Sequence, residues 1–211
     1  MDREASNDEH LHDIEGDEDG SDEESQAVTE HWQRLFALNA PESDRTKVPF
    51  PAEGFAPQVI AYGWAFPRSY FEKYAKRHNI LIPLGSEDAA RFGGESIPYG
   101  KLTEQIAEDD LALHAYILAV LPPAVQWHLH TLSGIKLECR TPFMEGCPDM
   151  FCIYDNYNFN QKREEIELAT GLDIDDIVEI LNDAIRAADP TIEALWVYDW
   201  DKMVVGFDTL V

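Results

Sequence analysis

Residues 58–66 read QVIAYGWAF and contain no charged side chain. Large apolar residues at Ile60, Tyr62, Trp64 and Phe66 alternate with alanine, glycine or valine. This period of two predicts a β-strand that is packed on both faces. Such a strand needs other strands beside it and further elements above and below it, which the rest of the chain must supply.

The remaining pattern predicts helices and strands in comparable number. Period-3.6 stripes predict helices over residues 68–79, 101–121, 161–170 and 174–188. Ser69 is the predicted cap of the first helix, Asp173 caps the last, and Pro122 with Pro123 is expected to end the second. The Gly- and Pro-rich stretch 80–100 is expected to form a loop. Strands are predicted over residues 127–132, 135–141 and 150–157, and a closing hairpin over 195–207 turns near 199–202. We therefore expect an α+β fold, a single domain whose mostly antiparallel sheet is covered by helices.

Charge divides the chain. Residues 1–30 hold 13 acidic residues and one basic residue. Residues 1–28 contain no aromatic residue, and they are predicted to be a disordered acidic tail. Residues 29–57 read as a short helix and a Pro-rich connector, and residues 58–211 as the globular domain.

The body is acidic as well, because residues 31–211 carry 28 acidic and 15 basic residues. A net charge of -25 repels nucleic acids and anionic membranes and attracts basic proteins. The sequence contains no run of about 18 apolar residues, the length that a membrane-spanning helix needs. We expect the protein to bind a basic protein partner and to bind neither nucleic acid nor membranes. We expect it to be located in the cytoplasm or the nucleus. The sequence does not indicate an oligomeric state.

The stretch 127–152 contains two histidines and all three cysteines. On a strand, His128 and His130 would point to one face, where they are candidate zinc ligands. The cysteines at 139, 147 and 152 lack the C-x2-C spacing of structural zinc sites. We therefore favour ordinary strand packing, with Cys139 and Cys152 inward and Cys147 exposed. No cofactor motif is present, and we expect neither a cofactor nor a metal.

Residues 164–182 show the apolar spacing of a helix-turn-helix. Its second helix would open with Asp173, Asp175 and Asp176, although a helix in the major groove needs lysine or arginine against the phosphates. This acidity argues against DNA binding.

Two groups of residues are candidate binding sites. Four bases in the helix 68–79 either form a solvent face that complements the helix dipole or dock an anion, a partner's carboxylates or the acidic tail: Arg68, Lys73, Lys76 and Arg77. An aromatic stripe on the closing strand is expected to be core or a groove for a ligand: Trp196, Tyr198 and Trp200. Asp155, Asp199 and Asp201 are predicted near strand ends, where catalytic carboxylates often lie.

The favoured hypothesis is a non-enzymatic protein-interaction or regulatory module with an acidic surface. The alternative is a small-molecule or metal-dependent enzyme. It would use the His128/His130 strand face or the Asp155 and Asp199 strand ends.

Overall fold

The computed structural model describes residues 44–47 and 59–201. The predictions for residues 1–28, for most of the connector 29–57 and for the second strand of the closing hairpin lie outside these residues. Six helices and six strands follow one another within the described part. In chain order they are β1 (Ile60–Phe66), α1 (Arg68–His78), β2 (Leu81–Pro83), α2 (Ser86–Phe92), β3 (Ser96–Pro98), α3 (Tyr99–Gln105), α4 (Leu111–Ser133), β4 (Glu138–Arg140), β5 (Asp149–Asp155), α5 (Phe159–Thr170), α6 (Ile174–Arg186) and β6 (Ala194–Tyr198).

Four strands form the main sheet in the order β4-β5-β1-β6, and every neighbouring pair is antiparallel. β2 and β3 form a separate antiparallel pair. The predicted α+β fold with a mostly antiparallel sheet covered by helices is therefore confirmed. The register between β1 and β5 shifts between Tyr62 and Gly63, where a bulge interrupts the ladder.

Every residue of β1 is buried, so the prediction of a strand packed on both faces is confirmed. Its large side chains enter the main core, together with the inward faces of the helices. Ala61 lies on the opposite side of the sheet in a smaller cluster with Met150, Cys152 and Val197. The alternation of large and small residues thus reflects two packed layers of unequal thickness.

Most predicted helices are confirmed, and their ends follow capping chemistry. α1 buries Tyr70, Phe71 and Tyr74 as predicted, but its N-cap is Pro67, so the prediction of Ser69 as the cap is wrong. Asp173 caps α6 as predicted: its carboxylate accepts the amides of Asp175 and Asp176 at 2.8 and 3.0 Å.

The strand predicted over residues 127–132 is wrong, because α4 continues through this stretch to Ser133. The single helix predicted over residues 101–121 is wrong, because α3 ends at Gln105 and α4 begins at Leu111. Pro122 and Pro123 do not end a helix but lie inside α4. Each proline removes one helical hydrogen bond, and both side chains lie towards the solvent side of the helix. Apolar residues buried every four positions hold the helix together across the prolines: Leu113, Ile117, Leu121, Val125 and Leu129.

The stretch 80–100 is also more regular than the predicted loop. It contains β2, α2 and β3, and the β2–β3 pair places Ile82 opposite Ile97. Both isoleucines are buried in the main core. The burial of these two residues, which a Gly- and Pro-rich sequence does not reveal, explains the difference.

Candidate functional site

Helix α4 is unusual for this chain because none of its 23 residues is Asp, Glu, Lys or Arg. Asp110 fixes its start, since the Asp110 carboxylate accepts the amide of Leu113 at 3.2 Å. Gly134 ends it in the left-handed conformation, with φ 73°. A helix with one buried side normally carries charged residues on the other side, and α4 does not.

The solvent side of the first half of α4 is apolar. Leu111 is 75% exposed and Leu118 is 58% exposed, although neighbouring leucines of the same helix are buried. We define the α4 apolar face as five residues that follow the helical spacing i, i+4, i+7, i+8 and i+11: Leu111, Ala115, Leu118, Ala119 and Pro122. They lie on the side of the helix opposite the buried Leu113, Ile117 and Leu121.

The face does not extend along the whole helix. Buried residues recur every four positions, so the buried side turns by about 40° at each step. Trp127 is also exposed, but nine residues after Leu118 it points to another side of the helix. The α4 apolar face is therefore confined to the first three turns.

The prolines add backbone acceptors to this face. Pro122 and Pro123 have no N–H, so the carbonyl groups of Leu118 and Ala119 lack their usual i+4 donors. Polar backbone oxygens thus lie beside exposed apolar side chains. A donor from outside the helix is well suited to such oxygens.

An acidic groove of about 400 Å³ lies beside the first turn of α4. Its lining includes Glu87, Asp88 and Arg91 from α2, together with Asp110 and Tyr116. Arg91 donates to Asp110 at 2.6 Å, and this hydrogen bond, with the Leu113 amide, lowers the pKa of Asp110. The one base of the groove is therefore paired, and Glu87 and Asp88 leave the groove negative.

The aromatic candidates do not form one exposed surface. Trp196 is buried in the main core, and Tyr198 is half-buried against the same core. β6 ends at Tyr198, so Trp200 lies beyond the strand, where its ring stacks on Phe143 at 5.2 Å. The prediction that the three share one strand face is wrong for Trp200.

The four bases of α1 are spread over the helix. Arg68 begins the helix and Arg77 lies about 14 Å further along its axis. Lys73 is paired with Asp189 at 2.7 Å, and the Lys76 ammonium lies 5.9 Å from the centre of the Tyr99 ring. The bases at the end of α1 complement the helix dipole.

The histidines do not share a face. His128 and His130 are two positions apart on α4, which separates their directions by about 200° on a helix. Nδ1 of His128 bonds the Tyr74 hydroxyl at 2.9 Å, and Nδ1 of His130 bonds the Ile135 carbonyl at 2.8 Å. The strand-based chelating pair is therefore wrong. Within residues 44–47 and 59–201, no three His, Cys, Asp or Glu side chains group as a metal site would require.

Asp155 and Asp199 do come together, around Arg140 of β4. The guanidinium donates to Asp155 at 2.9 Å, to Asp199 at 3.2 Å and to Glu138 at 2.8 Å. The second oxygen of Asp155 accepts the amides of Tyr157 and Asn158 at 3.0 Å each. These carboxylates are engaged in a partly buried ion-pair network.

The cysteines differ from the prediction in one case. Cys152 is buried as predicted, and burial raises its pKa to about 12. Cys139 is exposed rather than inward, because its side of the short edge strand β4 is left uncovered. Cys147 is half-exposed in its loop, and burial raises its pKa also.

One sequence signal would have revealed the α4 apolar face: residues 111–135 contain no charged residue in a chain that is 27% charged. No protein-family model matches the chain, and neither a curated protein nor a solved structure matches it. None of the described helices has the length and hydrophobicity needed to cross a membrane.

Proposed function

We propose that this chain is a non-enzymatic protein-interaction module that binds a basic partner along the α4 apolar face. The observation that carries the proposal is the exposure of Leu111 and Leu118 on a helix without a single charged residue. Exposed contiguous apolar surface on an otherwise highly charged protein is typical of a binding site.

The chemistry of the partner follows from the surroundings of the face. The acidic groove with Glu87 and Asp88 lies next to the first turn of α4. A partner segment could pack apolar residues against Leu118 and place a lysine or arginine in the acidic groove. It would then complement both the α4 apolar face and the negative charge beside it. The carbonyl groups of Leu118 and Ala119 offer such a segment two further acceptors.

The net charge of -25 supports the same partner class. It accelerates the encounter with a basic protein and repels acidic ones. No observation on the described residues favours the enzymatic alternative, because Asp155 and Asp199 share Arg140 and the two histidines diverge. The oligomeric state does not enter the proposal.

Matched surface variants test the proposal in a comparative capture experiment. The full chain is used as bait in a native lysate beside Leu118→Ser and Glu87→Lys. Two controls carry the same changes on α5: Leu168→Ser, at a leucine that is 90% exposed, and Glu164→Lys. We expect a set of basic proteins that the wild type and both controls retain, and that the two α4-side variants lose. Equal capture by all five baits would contradict the proposal.

A further inference from the structure

Two histidines from different helices lie side by side, with their ring centres 5.4 Å apart: His78 of α1 and His128 of α4. Tyr74 joins them, because its ring stacks on His78 at 4.2 Å and its hydroxyl bonds Nδ1 of His128 at 2.9 Å. Both imidazoles are half-buried, so solvent still reaches the pair. The histidine that accompanies His128 is therefore His78 and not His130, which the sequence had suggested.

Each ring has one nitrogen engaged and one nitrogen free. Nε2 of His78 donates to the Ala184 carbonyl of α6 at 2.9 Å, because a carbonyl oxygen can only accept. Nδ1 of neutral His78 is then a bare acceptor. His128 uses Nδ1 for Tyr74, which leaves its Nε2. Within residues 44–47 and 59–201, neither ring makes another hydrogen bond. A neutral imidazole whose second nitrogen is held by a hydrogen bond is the form that ligates transition metals.

The separation of the two rings fits a shared metal ion. Two imidazoles that each place a nitrogen about 2.1 Å from one tetrahedral zinc ion have their ring centres about 5 Å apart. The observed 5.4 Å is close to that value. His78 also lies in the last turn of α1, where the helix dipole favours a cation. The net charge of -25 attracts cations to the protein as a whole.

We infer that His78 and His128 together bind one zinc ion, through Nδ1 of His78 and Nε2 of His128. Tyr74 then accepts the Nδ1–H of His128, and Ala184 still accepts from His78. Two protein ligands are fewer than a closed structural site has, so water completes the tetrahedron and the ion exchanges with the solvent. This inference replaces the sequence-based expectation that the protein binds no metal.

The zinc site is independent of the proposed function. It uses none of the residues of the α4 apolar face, and it lies on the second half of the helix. Loss of zinc binding would therefore leave the capture of a basic partner unchanged, and loss of that capture would leave zinc binding unchanged.

The test must resolve single residues, because the chain has seven histidines and the site uses two. Zinc chloride is added to the full chain at pH above 7, and the imidazole nitrogens are followed by NMR. We expect the signals of His78 Nδ1 and His128 Nε2 to shift together and to reach half of their change at the same zinc concentration. The nitrogens of His130, whose Nδ1 bonds the Ile135 carbonyl at 2.8 Å, should not shift at that concentration.

Substitutions then show whether one ion is shared. We expect His78→Gln to weaken zinc binding at His128 by about tenfold or more, since loss of even an outer partner of a metal-binding histidine has an effect of that size. His128→Gln should weaken binding at His78 in the same way. His130→Gln is the matched control on α4 and should leave both rings as in the wild type.

The measurement on the wild type does not depend on the folding of any variant. Different half-saturation concentrations for the two rings would overturn the inference, and so would the absence of a shift at millimolar zinc. Unchanged zinc binding at His128 in folded His78→Gln would overturn it as well.

Discussion

Arg140 donates a hydrogen bond to Asp155 at 2.9 Å, and the same guanidinium also neutralises Asp199. Arg140 is 15% exposed, and Asp199 is buried. Replacing Arg140 with methionine would leave three carboxylates without their cation, and Glu138 is the most exposed of them. We expect the free energy of unfolding at neutral pH to fall by about 3 kcal/mol, as when one partner of a buried ion pair is removed.

Denaturant unfolding checks this prediction against Arg163→Met, which breaks the exposed Arg163–Glu167 pair on α5. The control substitution should lower the free energy of unfolding by less than about 1 kcal/mol. Equal effects of the two substitutions would show that the Arg140 network contributes no more than a surface ion pair.

Gly63 is the position in β1 where a side chain does not fit. A Cβ at Gly63 would overlap the carbonyl oxygen of Phe151 and lie 2.6 Å from the Cα of Cys152, at the bulge between β1 and β5. We expect Gly63→Ala to lower the free energy of unfolding by about 3 kcal/mol or more, because the two strands must separate. Gly100→Ala is the control, since that position in α3 is open and alanine favours helix there. Thermal unfolding should show a large loss of stability for Gly63→Ala and no loss of stability for Gly100→Ala.

His128 makes the stability depend on pH. Burial and the neighbouring His78 lower the pKa of His128 below its ordinary value of 6.5. Burial raises the pKa of Tyr74, so its hydroxyl stays protonated and shares a hydrogen bond with neutral His128. The unfolded chain therefore binds a proton more readily than the folded protein as the pH falls. The stabilisation is complete above about pH 6.5 and is lost as the pH falls through the lower pKa of the folded state.

We expect His128→Gln to reduce the difference in unfolding free energy between pH 7.5 and pH 5.5. If His128→Gln keeps the full pH dependence of the wild type, His128 is not its source.

The sequence predicted those elements whose local pattern agrees with their packing. β1 and α6 carry unbroken apolar periods and were predicted within a residue or two of their ends. In α4, alternation over WHLHTL predicted a strand, but contacts of Val125 and Leu129 with distant elements favour the helix. The Arg140 network and the contact between His78 and His128 join residues far apart in sequence, and no local period encodes such pairs. The absence of charged residues over residues 111–135 is visible in the sequence. The sequence does not show that Leu111 and Leu118 of this stretch are exposed.

A photoreactive side chain placed on α4 tests most directly whether this face binds a basic partner. Benzoylphenylalanine replaces Leu118 in one full-length protein. In another it replaces Leu168 of α5, which is more exposed than Leu118. After irradiation in a native lysate, we expect position 118 to form a discrete cross-link to a basic polypeptide. Adding Glu87→Lys should weaken that cross-link, because the acidic groove then repels the partner. Position 168 should give none. No discrete cross-link at position 118, or the same products from both positions, would contradict a binding site on α4.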